Sequence, residues 1–260
     1  MTPRLYIDAV LDAGSAIALG PEHTHYLRDV LRLGVGAPVH LFNGRDGEWR
    51  ATITAASKRS LALQVEDRTR APADEPDLWL CFAPVKKARL DFIAEKATEL
   101  GVGRLQPVIT QRTIVERVNL DRLRANAVEA AEQTERLTVP DVAPPLALAQ
   151  LLATWPHERH LLVADETGGG RPVAAMLAAL DAPARAAPWA VLTGPEGGFA
   201  PAELDMIGRL PMAHAVGLGP RILRADTAAL AALAVWQAIV GDWQAVPRGR
   251  RSHETACMDT

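Results

Sequence analysis

The stretch Val191-Leu-Thr-Gly-Pro-Glu-Gly-Gly-Phe-Ala-Pro-Ala-Glu203 decides how this chain is expected to fold. Its apolar start is typical of a buried strand, its three glycines in five positions predict a tight loop, and Pro201 with Glu203 marks the start of a helix. Glycines in such a loop let the backbone approach a ligand and present its N–H groups. For this loop alone, a strand-to-helix turn without a ligand is an equally good interpretation.

A second loop of the same kind follows at Val216-Gly-Leu-Gly-Pro-Arg-Ile-Leu-Arg-Ala-Asp-Thr-Ala228. Two such loops at the carboxyl ends of strands could wall one crevice, the place where α/β sheets bind ligands. Neither loop carries the Gly-Lys-Ser/Thr of a phosphate-binding loop or the glycine spacing of a dinucleotide site. An adenosine-like group would find backbone amides and carbonyls there, together with apolar side chains (Leu192, Leu218, Ile222, Leu223) and, at the rim, Arg224 and Asp226.

Outward from these loops, apolar runs alternate with helical stretches, which predicts an α/β fold with a mostly parallel sheet. The predicted strands span residues 78–83, 105–109, 160–164, 189–192 and 213–218, and helices are expected at 86–100 and 226–241. The last helix is apolar nearly all round and should be covered on more than one side, either within the chain or by a symmetric partner.

The first 70 residues follow a different pattern of short strands and turns, at 5–7, 38–42, 48–54 and 61–65. One helix, from Pro21 to a stop at Gly34, is expected to place Leu27, Val30, Leu31 and Leu33 on its apolar face. These elements fit a small β-barrel with one embedded helix. The polar, proline-containing stretch 70–77 then predicts a linker between two domains.

Composition excludes several classes of protein. With 260 residues, 48% apolar and 23% charged, the chain is not globally disordered, and its net charge of -3 excludes a generic basic nucleic-acid coat. Only residues 86–136 lean basic, with 10 basic against 8 acidic groups. Two cysteines give no disulfide framework, no secretory signal is visible, and the longest uncharged apolar window is too short for a span of about 20 residues, so we expect a cytoplasmic, non-membrane protein. The histidines lack metal-ligand spacing, so no metal is expected.

Several motifs in one order resemble the RsmE family of ribosomal RNA uridine-N3 methyltransferases, of the SPOUT class. The most specific are Gly194-Pro-Glu-Gly-Gly-Phe199, Leu218-Gly-Pro-Arg-Ile-Leu-Arg224 and Lys96-Ala-Thr-Glu-Leu-Gly-Val102. The resemblance covers nearly the whole chain, and it extends to Arg4-Leu-Tyr-Ile7, His25-Tyr-Leu27, Val30-Leu-Arg32, Gln111-Arg112 and Glu129-Ala-Ala-Glu-Gln-Thr-Glu-Arg136.

The resemblance implies a PUA-like β-barrel that helps bind RNA (residues 1–72) and a SPOUT methyltransferase domain whose C-terminal part forms a deep trefoil knot (73–246). The polar residues after Pro247 predict, independently of the resemblance, a disordered tail (247–260). The resemblance also implies a homodimer that uses S-adenosylmethionine to methylate N3 of one uridine in 16S ribosomal RNA. The family's target is uridine 1498, within small-subunit RNA or the 30S particle. No periodicity in the sequence predicts a knot.

The resemblance assigns roles to individual residues. Methyl transfer to uracil N3 requires removal of the N3 proton, so Arg224 would supply positive charge to a carbonyl oxygen while Asp226 or Glu196 accepts the proton. The family usually has Thr-Glu-Thr where this chain has Ala225-Asp226-Thr227, and Asp226 could instead simply cap a helix. The expected cofactor-binding residues are Leu192, Thr193, Gly194, Glu196, Gly197, Gly198, Val216, Gly217, Leu218, Gly219, Ile222, Leu223, Arg224, Thr227 and Ala228. The expected RNA contacts are Arg4, Arg28, Arg32, Lys86, Arg112 and Arg136.

Two alternatives from other classes stay open. The first is a knotted enzyme that acts on a different RNA base or site. The second is a non-catalytic RNA-binding module with the same fold, which the intact glycines of both loops and the retained Arg224 argue against. An adenine-nucleotide enzyme is weaker still, because no phosphate-binding lysine follows the glycine-rich loop.

Overall fold

The computed structural model of the protein describes residues 2–57, 60–115 and 117–245, and the predicted tail at 247–260 lies outside these residues. In this part of the chain, two sheets follow each other. The strands of the first are β1 (Arg4–Tyr6), β2 (Ala16–Ala18), β3 (Pro38–Phe42), β4 (Glu48–Ala56) and β5 (Leu61–Arg70). The strands of the second are β6 (Leu78–Phe82), β7 (Arg104–Ile109), β8 (Asp141–Val142), β9 (Leu146–Ala147), β10 (His160–Ala164), β11 (Arg171–Pro172), β12 (Trp189–Thr193) and β13 (Ala213–Gly217).

The N-terminal sheet has the strand order β1-β3-β4-β5-β2, with β1 parallel to β3 and the remaining pairs antiparallel. Its alternating residues bury one face, because successive side chains of a strand point to opposite sides. Leu63 and Val65 of β5 pack in this way against Leu41 and Ile53. Strand β2 was not predicted from the sequence, since three residues carry too little pattern.

The helix predicted from Pro21 to Gly34 starts at Pro21 as expected but ends at Val30. Helix α1 (Pro21–His25) continues only as a π-helical turn, Tyr26–Val30, and Arg32 then adopts a left-handed φ of 56°. The wider turn changes the direction in which side chains point, so Leu27 is fully buried while Val30 is 57% exposed. Leu31 is exposed as well, whereas Leu33 is partly buried against the same apolar cluster as Leu27, so only half of the predicted apolar face packs.

The larger sheet confirms the predicted α/β fold. Its strand order is β11-β13-β10-β12-β6-β7-β8, with β9 also beside β7, and every pairing is parallel. Such strands are covered on both faces and therefore read as continuous apolar runs, as in β12. The helices of this domain are α2 (Lys87–Glu99), α3 (Leu120–Gln133), α4 (Leu148–Ala153), α5 (Val173–Ala178), α6 (Ala182–Ala186), α7 (Pro201–Gly208) and α8 (Ala225–Ile239).

Two apolar clusters cover the two faces of this sheet. Side chains from α2, α3, α5 and α8 pack on one face, and side chains from α4 and α7 pack on the other. Helix α8 buries Leu233 and Trp236 against the sheet, whereas Leu230 and Val235 are only partly covered. Its Gln237 is fully buried and donates to the Leu100 carbonyl at the end of α2, with Nε2 and O 2.7 Å apart. No helix of the described residues is long and apolar enough to cross a membrane.

The stretch predicted as a linker connects β5 to β6 without a helix or strand of its own, but it is anchored. Glu75 accepts hydrogen bonds from Arg136 and Thr138, and Asp77 accepts one from Arg159 Nη2 at 2.6 Å. Arg4 reaches from β1 to the end of α3. These contacts hold the N-terminal sheet against the larger domain.

Candidate functional site

A cavity of about 560 Å³ lies at the carboxyl end of the parallel sheet. Three loops form its wall, and they follow β10, β12 and β13, which are neighbours in the sheet. Because the strands run in the same direction, the loops emerge at one edge, where α/β proteins bind ligands. Its size falls within the range of small-molecule sites, about 300–1,000 Å³.

The loop after β12 is the glycine-rich loop Gly194–Phe199. Gly198 adopts a φ of +68°, and its N–H donates to the Pro195 carbonyl at 2.9 Å, which closes the turn. A Cβ at Gly198 would lie 1.8 Å from Glu166 Oε1, and a Cβ at Gly194 would lie 3.1 Å from the Phe199 ring. The left-handed backbone of Gly198 therefore favours glycine, and at Gly194 any side chain would press on the Phe199 ring.

Helix α7 fixes this loop from behind. Pro201 stands in its first turn as predicted, and Ala200 supplies no side-chain cap. The buried carboxylate of Glu203 instead accepts the N–H of the cap residue itself, with Ala200 N and Oε2 2.8 Å apart, and this hydrogen bond holds the start of α7. Its Oε1 accepts the Gln111 N–H at 2.7 Å, which joins the end of β7 to the same loop. The cavity wall is thus braced by one buried acid.

The loop after β13 forms the opposite side of the cavity. Gly219 has a φ of +104° and lets the chain turn back toward α8. Arg224 is the N-terminal cap residue of α8, with extended backbone, and its carbonyl accepts the Ala228 N–H at 2.8 Å. Its side chain lines the cavity at the start of a helix whose free N–H groups favour negative charge.

A third loop was missed from the sequence. It follows β10 and contributes Ala164, Asp165, Glu166, Thr167 and Gly168 to the wall. The signal was present, since a buried strand runs directly into Asp165-Glu-Thr-Gly-Gly-Gly170, a third copy of the strand-to-glycine pattern. Arg89, in the first turn of α2, also lines the cavity and had not been singled out.

Most of the predicted cofactor-binding residues line this cavity: Thr193, Gly194, Glu196, Gly198, Gly217, Leu218, Gly219, Ile222, Leu223, Arg224 and Ala228. Four do not, and these are Leu192, Gly197, Val216 and Thr227. Leu192 and Val216 are fully buried inside their strands, and the Gly197 carbonyl faces Arg112, whose Nη1 donates to it at 2.7 Å. The wall also includes Pro195, Phe199 and Leu204, which the sequence did not point to.

The three predicted catalytic residues lie in different surroundings. Arg224 and Glu196 line the cavity. Asp226 does not, and its side chain is only 15% exposed, with Oδ2 3.9 Å from Nε of Arg89. It occupies the first turn of α8, as the helix-capping alternative expected, although Arg224 rather than Asp226 is the cap residue.

The acidic and the basic side chains around the cavity come from different structural elements. Three carboxylates, of Asp165, Glu166 and Glu196, come from the loops after β10 and β12. Three guanidinium groups, of Arg89, Arg221 and Arg224, come from α2 and the loop after β13. The cavity can therefore face a cationic group on one side and an anionic group on the other.

Among the residues that the structure describes, no reactive thiol lines this cavity. Burial raises the pKa of the Cys81 thiol, in β6, to about 12, so it stays protonated at neutral pH. Within the described ranges, no group of three or more His, Cys, Asp or Glu side chains could hold a metal ion. His160 and His214 do meet, with Nδ1 and Nε2 2.9 Å apart, at the amino ends of β10 and β13. The two histidines therefore lie far from the cavity, which is at the carboxyl ends of the same strands.

The side chains of two predicted RNA contacts, Arg4 and Arg136, are buried and paired within the protein. Arg4 donates to Glu48 Oε2 at 2.7 Å and to three carbonyls near the end of α3, and only 8% of its side chain is exposed. Arg136 donates to the carbonyls of Thr98 and Val102 and to Glu75. All of these partners belong to the protein, so Arg4 joins the N-terminal sheet to the larger domain, and Arg136 anchors the stretch before β6 within the larger domain.

The other four predicted RNA contacts lie at the surface. Arg28 is partly engaged, because it donates to Asp29 and to the Ser57 carbonyl, and its hydrogen bonds help to hold the pKa of Asp29 well below the ordinary value. Arg32 and Lys86 are exposed, and Arg112 is exposed beside the glycine-rich loop. Arg112 is the one of these four that contacts a loop of the cavity.

Two family models match the chain. The RNA methyltransferase domain matches residues 73–237, and the RNA methyltransferase PUA domain matches residues 19–66. The ribosomal RNA small subunit methyltransferase E of Rickettsia conorii is 33% identical over 236 residues, which cover 89% of this chain and 93% of that protein. The protein of the same name from Synechocystis sp. is 32% identical over 248 residues, covering 92% and 78%.

Solved structures are similar over nearly the whole chain. A ribosomal RNA small subunit methyltransferase E from Neisseria gonorrhoeae, bound to S-adenosyl methionine, matches with a TM-score of 0.82 and 30% identity, covering 94% of this chain and 100% of that chain. A methyltransferase from Legionella pneumophila, solved with the bound cofactor SAM, also matches with a TM-score of 0.82, at 27% identity, covering 93% and 99%.

Proposed function

Because the chain belongs to the ribosomal RNA small subunit methyltransferase E family, we propose that it methylates N3 of one uridine in 16S ribosomal RNA, uridine 1498 of that RNA. S-adenosylmethionine is the methyl donor. The observation that carries the proposal is the cavity built by three glycine-containing loops of adjacent parallel strands, with no phosphate-binding lysine. The substrate is small-subunit RNA, free or in the 30S particle.

The residues of the cavity fit S-adenosylmethionine. Glycine backbone at Gly194 and Gly198 can approach a flat base closely, and Leu218, Leu223 and Phe199 offer apolar contact. The carboxylates of the wall suit a sulfonium and an ammonium group, which are both cationic. When bound, the cofactor supplies an electrophilic methyl group, so the protein needs neither a covalent nucleophile nor a metal.

The protein's own contribution is to position the uracil and to manage its N3 proton. Glu196 lines the cavity, is exposed, and is proposed to accept this proton. Arg224, at the start of α8, is proposed to stabilise the negative charge that develops on a uracil carbonyl oxygen. A base paired in a helix cannot reach such a cavity, so the target uridine must be unpaired or flipped out.

We also propose the domain organisation that the family implies. Residues 1–72 form the PUA-like β-barrel and 73–246 the SPOUT methyltransferase domain, with the carboxyl-terminal part knotted. The insertion of β13 between β10 and β11 in the sheet, while β12 lies on the other side of β10, supports a threaded topology. The partly covered Leu230 and Val235 of α8, and exposed Phe92 on the neighbouring α2, support a homodimer. The protein is proposed to act in the cytoplasm.

One experiment tests the proposal against its alternatives. The protein is incubated with labelled S-adenosylmethionine and with small-subunit particles or RNA from a strain that lacks the modification, and the product is mapped by mass spectrometry. We expect one methyl group on a uracil N3. Transfer to another base or site would favour a different RNA specificity, and RNA binding without transfer would favour a non-catalytic module.

Arg224→Ala provides a matched test within the same assay. Its methylation rate should fall far more than its affinity for S-adenosylmethionine, because the guanidinium is assigned to the uracil rather than to the cofactor. Comparable losses of rate and affinity would show that Arg224 shapes the cofactor pocket instead.

A further inference from the structure

Arg89 is a cavity residue without a role in the mechanism proposed above. It lies in the first turn of α2, lines the cavity, and has 34% of its side chain exposed. Its Nε faces Asp226 Oδ2 at 3.9 Å, and in the described part of the chain its two Nη groups have no hydrogen-bond partner. The guanidinium therefore has one edge toward α8 and donors left for a ligand.

Asp226 does not lie where a residue that accepts a proton from the substrate would have to lie. Its carboxylate is absent from the cavity wall, and only 15% of the side chain is exposed. Its neighbours Arg224 and Ala225 do line the cavity, so the first turn of α8 presents the arginine to the ligand and the acid to α2. A general base must come within hydrogen-bond reach of the proton that it removes, and here Arg89 stands on the cavity side of the carboxylate.

We propose that Asp226 is a positioning residue that holds the Arg89 guanidinium at the cavity wall, and that Arg89 donates to a carbonyl oxygen of the target uracil. The inference rests on the proposed function. It assigns Arg89 a direct role in the reaction. It also removes Asp226 from the two candidates for the base, so Glu196 is left as the proton acceptor.

The chemistry of uracil explains why two arginines are useful. N3 lies between two carbonyl groups, so the negative charge that appears when N3 loses its proton spreads over both oxygens. Arg224 and Arg89, on α8 and α2, provide one guanidinium for each oxygen. Cytosine has an amino group at one of these positions, and an arginine, which has only donors, would leave that amino group unpaired. The pair therefore also selects uracil over cytosine.

The step balances without a further reactant. The N3 proton passes to the Glu196 carboxylate, and the N3 electron pair forms the new N–C bond to the methyl group. The S–C bond breaks and its electron pair goes to sulfur, which becomes a neutral thioether. Arg89 keeps its proton throughout and only donates hydrogen bonds to the oxygen on which charge accumulates.

A double-mutant cycle tests the proposal. Arg89→Ala, Asp226→Asn and the double variant are compared with the wild type in single-turnover methylation of unmodified small-subunit RNA, together with calorimetric S-adenosylmethionine binding and thermal unfolding. We expect Arg89→Ala to lower the rate by about 10²-fold, the effect of removing one donor to a developing oxyanion, with unchanged cofactor affinity. Asp226→Asn should cost less, and should cost nothing further in the Arg89→Ala background.

Two further variants separate positioning from a merely structural role. Asp226→Glu can close the 3.9 Å gap to Arg89 and should recover most of the rate that Asp226→Asn loses. Arg122→Ala removes a closer ion pair with Asp91 of α2, with Nη2 and Oδ2 2.6 Å apart and outside the cavity, and should leave the rate unchanged.

The possible results divide cleanly. Equal losses from Asp226→Asn in both backgrounds would mean that the acid acts independently of Arg89, and would overturn the inference. A normal rate for Arg89→Ala would overturn it as well. An inactive wild type would refute the proposed function itself, so the two failures are distinguishable.

Discussion

Arg4 is expected to contribute to stability rather than to RNA affinity, and Arg4→Ala tests this directly. The side chain donates to Glu48 at 2.7 Å and to the carbonyls of Ala131, Glu132 and Arg136 at 2.9, 2.9 and 2.8 Å. Its guanidinium also lies 4.4 Å from the centre of the Phe42 ring. The substitution would leave the Glu48 carboxylate, 5% exposed, without its closest cation.

The expected loss follows from that geometry. Removing one partner of a buried ion pair costs about 3–5 kcal/mol, because the remaining charge stays desolvated. Arg70 Nη1 is 3.5 Å from Glu48 Oε2 and continues to offset part of this cost, so we expect the lower end, about 3 kcal/mol. For a chain of this size, this corresponds to a fall in Tm of roughly 6–12 °C.

Urea unfolding followed by circular dichroism measures the change, with Arg45→Ala as the matched control. Arg45 pairs with Asp8 at the surface, at 3.7 Å, and its loss should cost less than about 1 kcal/mol. RNA affinity of folded Arg4→Ala should keep the salt dependence of the wild type. A variant that is as stable as the control but binds RNA with a weaker salt dependence would refute the reasoning and restore Arg4 as an RNA contact.

Three further predictions follow from the described contacts. Gly198→Ala should weaken S-adenosylmethionine binding by about tenfold, because alanine at a left-handed φ costs roughly 1–2 kcal/mol and its methyl group meets Glu166. Calorimetry measures the affinity, with Gly208→Ala as the control, since a methyl group at Gly208 meets no neighbour. Equal affinities of the two variants would contradict the prediction. Burial raises the pKa of Glu48, but Arg4 and Arg70 outweigh burial and bring the pKa below its usual 4.5. The stability that Glu48 contributes is therefore present above about pH 4.5 and is lost as the pH falls. The urea midpoint of the wild type should drop more steeply with acid than that of Arg4→Ala, and parallel curves would argue against this. Arg112→Ala should reduce the slope of log affinity for RNA against log salt by about 0.9 or less, as expected for one lost phosphate contact; fluorescence anisotropy measures the slope, and an unchanged slope would remove Arg112 from the RNA-binding set.

The larger domain was predictable from sequence because its strands are buried on both sides. A strand such as β12 is apolar at every position, and α2 places Leu90, Ile93 and Ala97 on one buried face. These signals are local, so a single sequence displays them. The short strands β2, β8, β9 and β11 were missed, since two or three residues are held there by partners elsewhere in the chain.

The candidate site was predictable in part for the same reason. Two of its loops carry a strand followed by glycines, and both line the cavity. The third loop has this pattern at Asp165-Glu-Thr-Gly168, but Arg89 has no local signal at all, because a helix packed beside the loops brings it there.

Arginine roles were the least predictable feature. The three carbonyl acceptors of Arg4 lie 127 to 132 residues away, so its burial depends on how two domains meet. The sequence shows the same arginine in a motif that resembles an RNA-binding family whether its side chain contacts a phosphate or the end of a helix. Only the folded arrangement separates Arg4 and Arg136 from Arg112.

The order in which the cavity wall is encoded has a consequence for biosynthesis. Its three loops and the start of α8 span residues 164–228, and α8 also supplies Gln237 to the end of α2. During synthesis, the N-terminal sheet and much of the larger domain leave the ribosome well before the last wall of the cavity does. A nascent chain is therefore expected to bind the cofactor only after α8 has emerged from the ribosome, and cofactor binding then reports that the whole cavity wall has been synthesised.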